Sequence, residues 1–199
     1  MASILFIGWS DSRLLPCLLT GTGPGEVFTV RNLGAFVPPH NNSADVHGTA
    51  APIEFALLKL LVGRIIGCGH SHRCGIRALY GLATPGASNL QAWLELGREA
   101  TLPVRMTPEA LCRTEQRAVV PSLERLIGYP RARQRVGAGH MTLHGWHGAI
   151  KDGEMHVCGG RSARFVPALL AQHSDKGLFA HGPVDSGEAG IPGAAGQIS

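Results

Sequence analysis

Short apolar runs, each closed by a polar or glycine-rich loop, alternate along this chain with segments of helical spacing. Residues 4–8 form one such run and end in Trp9-Ser10-Asp11-Ser12-Arg13, a strand followed by a polar loop. Residues 27–31 read as a second strand, introduced by the turn Gly23-Pro24-Gly25. Over residues 49–61, Ile53, Phe55, Ala56, Leu57, Leu60 and Leu61 recur at helical spacing. Pro52 falls in the first turn of that helix, where its missing N–H costs little. Residues 64–68 are Ile-Ile-rich, as a strand buried on both faces should be, and run into Gly69-His70-Ser71-His72-Arg73-Cys74-Gly75. Further helices are predicted over 76–81, 90–99, 108–127 and 131–136. Residues 141–147 and 154–157 predict a hairpin about Lys151-Asp152-Gly153.

Strands separated by helices predict an α/β fold, a central and mainly parallel sheet flanked by helices. Ligands of such sheets bind beyond the carboxyl ends of the strands. Two polar loops lie there, 9–13 and 69–75, and the chemistry is expected in them. Residues 1–173 are read as a single domain. Residues 174–199 are rich in Gly, Pro and Ala and are expected to form a flexible tail.

Composition narrows the classes. A chain of 199 residues with 44% hydrophobic and 16% charged residues can bury a sizeable core. No apolar run reaches the length of a membrane span, and the start lacks a secretory leader's pattern, so a soluble, cytoplasmic protein with no membrane partner is expected. The net charge of +4 is mildly basic. Arg131, Arg133 and Arg135 cluster, but without interleaved aromatic residues; the cluster reads as a solvated helix face that compensates a helix end, and no nucleic-acid partner is expected. Five cysteines, an odd number, argue against a disulfide framework; Cys17, Cys112 and Cys158 read as partly buried thiols without chemistry.

The motifs, taken in order, resemble one family. Ser10-Asp11-Ser12-Arg13, Gly23-Pro24-Gly25-Glu26-Val27-Phe28 with Val30-Arg31-Asn32, and His47-Gly48-Thr49-Ala50 with Ile53-Glu54-Phe55-Ala56 resemble segments of the β-class carbonic anhydrases. So do Cys68-Gly69-His70-Ser71-His72, Leu143-His144-Gly145-Trp146 and Arg164-Phe165-Val166-Pro167. The likeness covers residues 4–170 and is nearest to the bacterial type associated with cyanate operons. It implies reversible hydration of carbon dioxide to bicarbonate at zinc held by two thiolates and one imidazole, with an Asp–Arg dyad beside the metal-bound hydroxide. Asp11 and Arg13 match the dyad, and His70 matches the imidazole ligand. A homo-oligomer, a dimer or higher, is implied too, although the family's helices ahead of the first strand have no counterpart here.

The two thiolate positions depart from the pattern. The first aligns with Trp9, whose indole nitrogen only donates. The second aligns, without a gap, with Arg73, which cannot coordinate a cation. A one-residue slip would recruit Cys74, giving a set of Asp11, His70 and Cys74 with His72 or Cys68 as fourth ligand. Two functions therefore stand: carbon dioxide hydration at a degenerate zinc site, or an inactive relative that binds an anion such as bicarbonate or serves as an assembly partner. In the second, Trp9 fills the space of thiolate and metal, Asp11 pairs with Arg13 or Arg73, and Trp146 and His144 pack rather than react.

Overall fold

The computed structural model describes residues 2–40, 47–71, 79–80, 85–103, 107–159 and 164–171. Its strands are β1 (Ile4–Trp9), β2 (Val27–Asn32), β3 (Arg64–His70), β4 (Thr142–Ala149), β5 (Glu154–Gly159) and β6 (Arg164–Pro167). They form one sheet of order β2-β1-β3-β4-β5-β6. The four strands from β2 to β4 are parallel, and β5 and β6 add antiparallel at one edge. The α/β expectation and the 141–157 hairpin both hold.

Alternation along β1 and β3 buries the sheet on both faces. Leu5, Ile7, Ile65 and Leu143 meet helix α5 (Val119–Gly128) through Val119, Leu123 and Leu126, and helix α2 (Ala50–Phe55) through Ile53. Phe6, Ile66 and Cys68, the intervening residues, pack with Leu14 and Trp146 on the other face. Each such side chain, removed from water, contributes about 1.5–3 kcal/mol. Close approach of α5 depends on two glycines: a Cβ at Gly67 would lie 3.1 Å from Leu123 Cδ2, and one at Gly145 would lie 3.2 Å from Leu123 Cδ1. Trp146 packs edge-on against Phe6, centroids 6.4 Å apart, in agreement with its expected packing role.

The predicted helix over 49–61 is α2 followed by a π turn, Ala56–Leu60, closed by Leu61 in the left-handed region (φ 52°). The segment 90–99 becomes α3 (Ser88–Glu95) and a 3-10 turn, Arg98–Ala100. The single helix expected over 108–127 is two: α4 (Pro108–Arg117) and α5, meeting at Ala118. Pro121 explains the break, because its ring and missing N–H are tolerated only in the first turn of a helix. Helix α6 (Pro130–Gly137) matches the last prediction. A short helix, α1 (Pro16–Thr20), follows the first polar loop. In α6 Arg133 Nε donates to the carbonyl of Ile127 and Arg135 Nη2 to that of Leu61, so those arginines brace backbone. Cys17 and Cys112 are exposed, not partly buried; Cys158 is half-buried. Of the predicted helix over 76–81 only residues 79 and 80 are described, and they lie in a turn; the tail from 174 lies outside the described residues.

Candidate active site

Parallel pairing sets the site. Gly8 of β1 is in register with Cys68 of β3, so the loops after the two strands leave the sheet side by side at their carboxyl ends. The first loop is held by Arg31, which reaches across from β2: Nε donates to the carbonyl of Trp9 at 2.9 Å, and Nη2 to those of Asp11 and Leu14. Ser10 N–H donates to the carbonyl of Asn32 at 3.0 Å. A single guanidinium thus orders residues 9–14, a role that the Arg-Asn motif did not disclose.

Asp11 and Arg13 form the expected dyad. Oδ1 accepts from Arg13 N at 3.0 Å and from Nε at 2.9 Å, and Oδ2 accepts from Nη2 at 2.5 Å. This fork-on-carboxylate geometry holds the Asp11 carboxyl well below the usual carboxylate range, Arg13's side-chain hydrogen bonds being the largest cause. Of the two guanidiniums proposed for Asp11, Arg13 is therefore a direct partner. His70, fully buried, points to the same place: its Nε2 lies 3.9 Å from Asp11 Oδ2. Its Nδ1 is 2.7 Å from the carbonyl of Ser71, and because a carbonyl only accepts, Nδ1 carries the proton. In the neutral ring the Nε2 lone pair then faces Asp11. Ser71 in turn is pinned to β4, its N–H donating to the carbonyl of Gly148 and its Oγ accepting from Ile150 N–H.

Trp9 is the residue that aligns in sequence with the first thiolate. It is 5% exposed and packs with Phe36, Leu94, Ala100 and Ala118, and its ring lies 5.3 Å from that of His70 at 53°. The described donors here are one imidazole nitrogen and one carboxylate already held by Arg13 on both oxygens. A protein zinc site takes three or four nitrogen, sulfur or oxygen ligands in tetrahedral array. Among the described residues no group of three His, Cys, Asp or Glu could hold a metal ion, so these residues do not fit zinc. Cys68 is fully buried in the apolar cluster of Phe6, Leu14 and Ile66. His72, Arg73 and Cys74 lie outside the described residues.

Residues 4–155 match the carbonic anhydrase family profile. The chain belongs to the β-class carbonic anhydrase family. It is 33% identical over 177 residues to a carbonic anhydrase of Pseudomonas aeruginosa, covering 86% of this chain and 79% of that one. It is 35% identical over 149 residues to chloroplastic beta carbonic anhydrase 5 of Arabidopsis thaliana, covering 71% of this chain and 49% of that one. The chain thus spans about half the length of that plant relative. Among solved structures, the beta-carbonic anhydrase CcaA superposes with a TM-score of 0.79 at 30% identity, over 90% of this chain and 81% of that one. A tetrameric beta-carbonic anhydrase of Sordaria macrospora superposes with a TM-score of 0.70 at 28% identity, over 79% of this chain and 81% of that one. No described helix is long and apolar enough to cross a membrane.

Beside this carbonic anhydrase-type site lies a cleft of about 650 Å³ that sequence reasoning missed. Ser71 is part of its wall, with Glu115 and His147, whose side chains are each 2% exposed and stand 3.9 Å apart (Oε2 to Nε2). His147 is the register partner of Gly69, one residue before His70. The spacing Leu143-His144-Gly145-Trp146-His147 showed a buried strand; nothing in it pointed to a carboxylate on a helix far back in the chain.

Proposed function

We propose that the protein works on the carbon dioxide–bicarbonate pair in the space over β1 and β3, at a site of the family's type whose zinc-ligand set is degenerate. One observation carries this reading: the Asp11–Arg13 dyad is fully formed, with the buried His70 imidazole 3.9 Å from its carboxylate, at the carboxyl ends of adjacent parallel strands. The family's reaction is reversible hydration of carbon dioxide. Arg13 keeps Asp11 ionised and fixes its orientation, so that a hydroxyl placed beside it donates to Oδ2 rather than receiving a proton from it. His70 is the surviving metal-type imidazole, held in orientation by Ser71. Completing a zinc shell would require Cys74 together with Asp11 and His70. Cytoplasmic location and a homo-oligomer belong to the same reading.

Trp9 favours a second reading, an inactive relative that binds bicarbonate without turning it over, because the indole and its apolar neighbours occupy the space of a thiolate. Stopped-flow hydration of carbon dioxide separates the two. Activity that a chelator abolishes supports the enzyme. No activity in the native chain, with activity and zinc appearing together in Trp9→Cys/Arg73→Cys, supports the inactive relative with a retained pocket. No activity in either chain removes the carbon dioxide reading.

A further inference from the structure

A second cleft, of about 690 Å³, lies between the Arg98–Ala100 turn, α4, α5 and β6, and none of its lining residues belongs to the Asp11–His70 site. Arg113, Arg117 and Arg164 all line it. Arg113 and Arg117 are one turn apart on α4 and share a face, where like charges repel. Arg117 Nε donates to the carbonyl of Ala100 at 3.3 Å, which holds the stem against the turn. Among the described residues, its two terminal amino groups and the whole Arg113 guanidinium make no hydrogen bond or ion pair. The single carboxylate of the described lining, Glu99, is already paired with Arg125. Arg113 and Arg117 therefore give the cleft a cationic side that no unpaired carboxylate of the described lining answers. The cleft's remaining described surface is Gln116 with the apolar Ala100, Val120, Pro121 and Phe165.

Guanidinium forks match phosphate oxygens, and an apolar floor matches a hydrocarbon or aromatic body. The volume falls in the range of about 300–1,000 Å³ that holds small molecules. We propose that this cleft binds a small organic phosphate, with the phosphate on Arg113 and Arg117 and the apolar body on Val120, Pro121 and Phe165. The site is independent of metal and of carbon dioxide chemistry, so its test does not depend on either.

Phenyl phosphate, titrated calorimetrically into the full chain, is the probe, with inorganic phosphate and phenol in parallel. Saturable binding of one phenyl phosphate per chain is expected, with inorganic phosphate and phenol each weaker by about tenfold or more. R113A/R117A is expected to lose about tenfold or more in affinity, and R113K/R117K to recover part of it, because lysine keeps the charge and not the fork. R131A, on α6 and outside the cleft, should bind as the native chain does. Both alanine variants change exposed side chains, and an unaltered melting curve verifies their folding. Absence of saturable phenyl phosphate binding, or affinity unchanged in R113A/R117A, overturns the proposal. Inorganic phosphate binding as tightly as phenyl phosphate overturns the organic body.

Discussion

Replacing Trp9 by cysteine introduces a thiolate at the end of β1 but removes the indole from the cluster of Phe36, Leu94, Ala100 and Ala118. Trp9 is 5% exposed, so nearly the whole side chain is lost from packing. A buried aromatic covers about 150–250 Å², and at about 25 cal/mol per Å² the indole contributes roughly 4–6 kcal/mol of transfer free energy. Cysteine keeps the Cβ and adds a sulfur, which returns part of this; the vacated volume subtracts again because the surroundings relax only in part. Trp9→Cys is therefore expected to destabilise the metal-free protein by about 3 kcal/mol, near the lower end of large-to-small aromatic substitutions. For a chain of this length that corresponds to a fall in Tm of about 6–12 °C. The assay is urea or thermal unfolding with a chelator present, since a bound metal would add stability in proportion to RT ln(1 + [L]/Kd) and mask the loss. A loss of less than about 1 kcal/mol in chelator would show that the indole is not a packing element and refute the reasoning.

Arg13→Met should return the Asp11 carboxyl toward the ordinary range near 3.9, read by NMR of its carboxyl carbon. Because the folded carboxyl is held low, the stability it contributes is present above the unfolded value and is lost as pH falls through the lowered one; native Asp11 titrating in the ordinary range would contradict the dyad. Arg31→Met removes the donors to the carbonyls of Trp9, Asp11 and Leu14 and should cost about 2–3 kcal/mol in urea unfolding, with amide exchange accelerated in residues 9–14; unchanged exchange would show that the loop is ordered otherwise. Gly145→Ala places a Cβ 3.0 Å from Cys158 Cβ and 3.2 Å from Leu123 Cδ1 and should destabilise by about 1–3 kcal/mol, whereas a neutral outcome would mean that α5 can retreat from β4.

Much of the fold was readable because local pattern and global structure agree. Ile65 and Ile66 turn to opposite faces of one strand, and both are buried, so a continuous apolar run announced a central parallel strand. Asp11 and Arg13 were readable for a similar reason: they interact within their own loop. What escaped is nonlocal. Arg31 braces a loop twenty residues away, and Glu115 and His147 meet only because α4 packs beside the carboxyl end of β4. The boundary at Ala118 escaped because apolar spacing runs straight through it; Pro121 alone recorded the break. Cys17 and Cys112 were misread because a cysteine behaves as a small apolar side chain on average, while each of these sits on the outer face of a short helix.

The zinc content of the native chain, purified without added zinc and measured together with protein concentration, tests the central claim most directly. The Trp9 ring lies against that of His70, and the described donors are the His70 nitrogen and an Asp11 carboxylate already held by Arg13. A content far below one zinc per chain, rising to one in Trp9→Cys/Arg73→Cys, is the predicted result. One zinc per native chain, retained through dialysis, would contradict it and would place Cys74 beside His70 as a ligand.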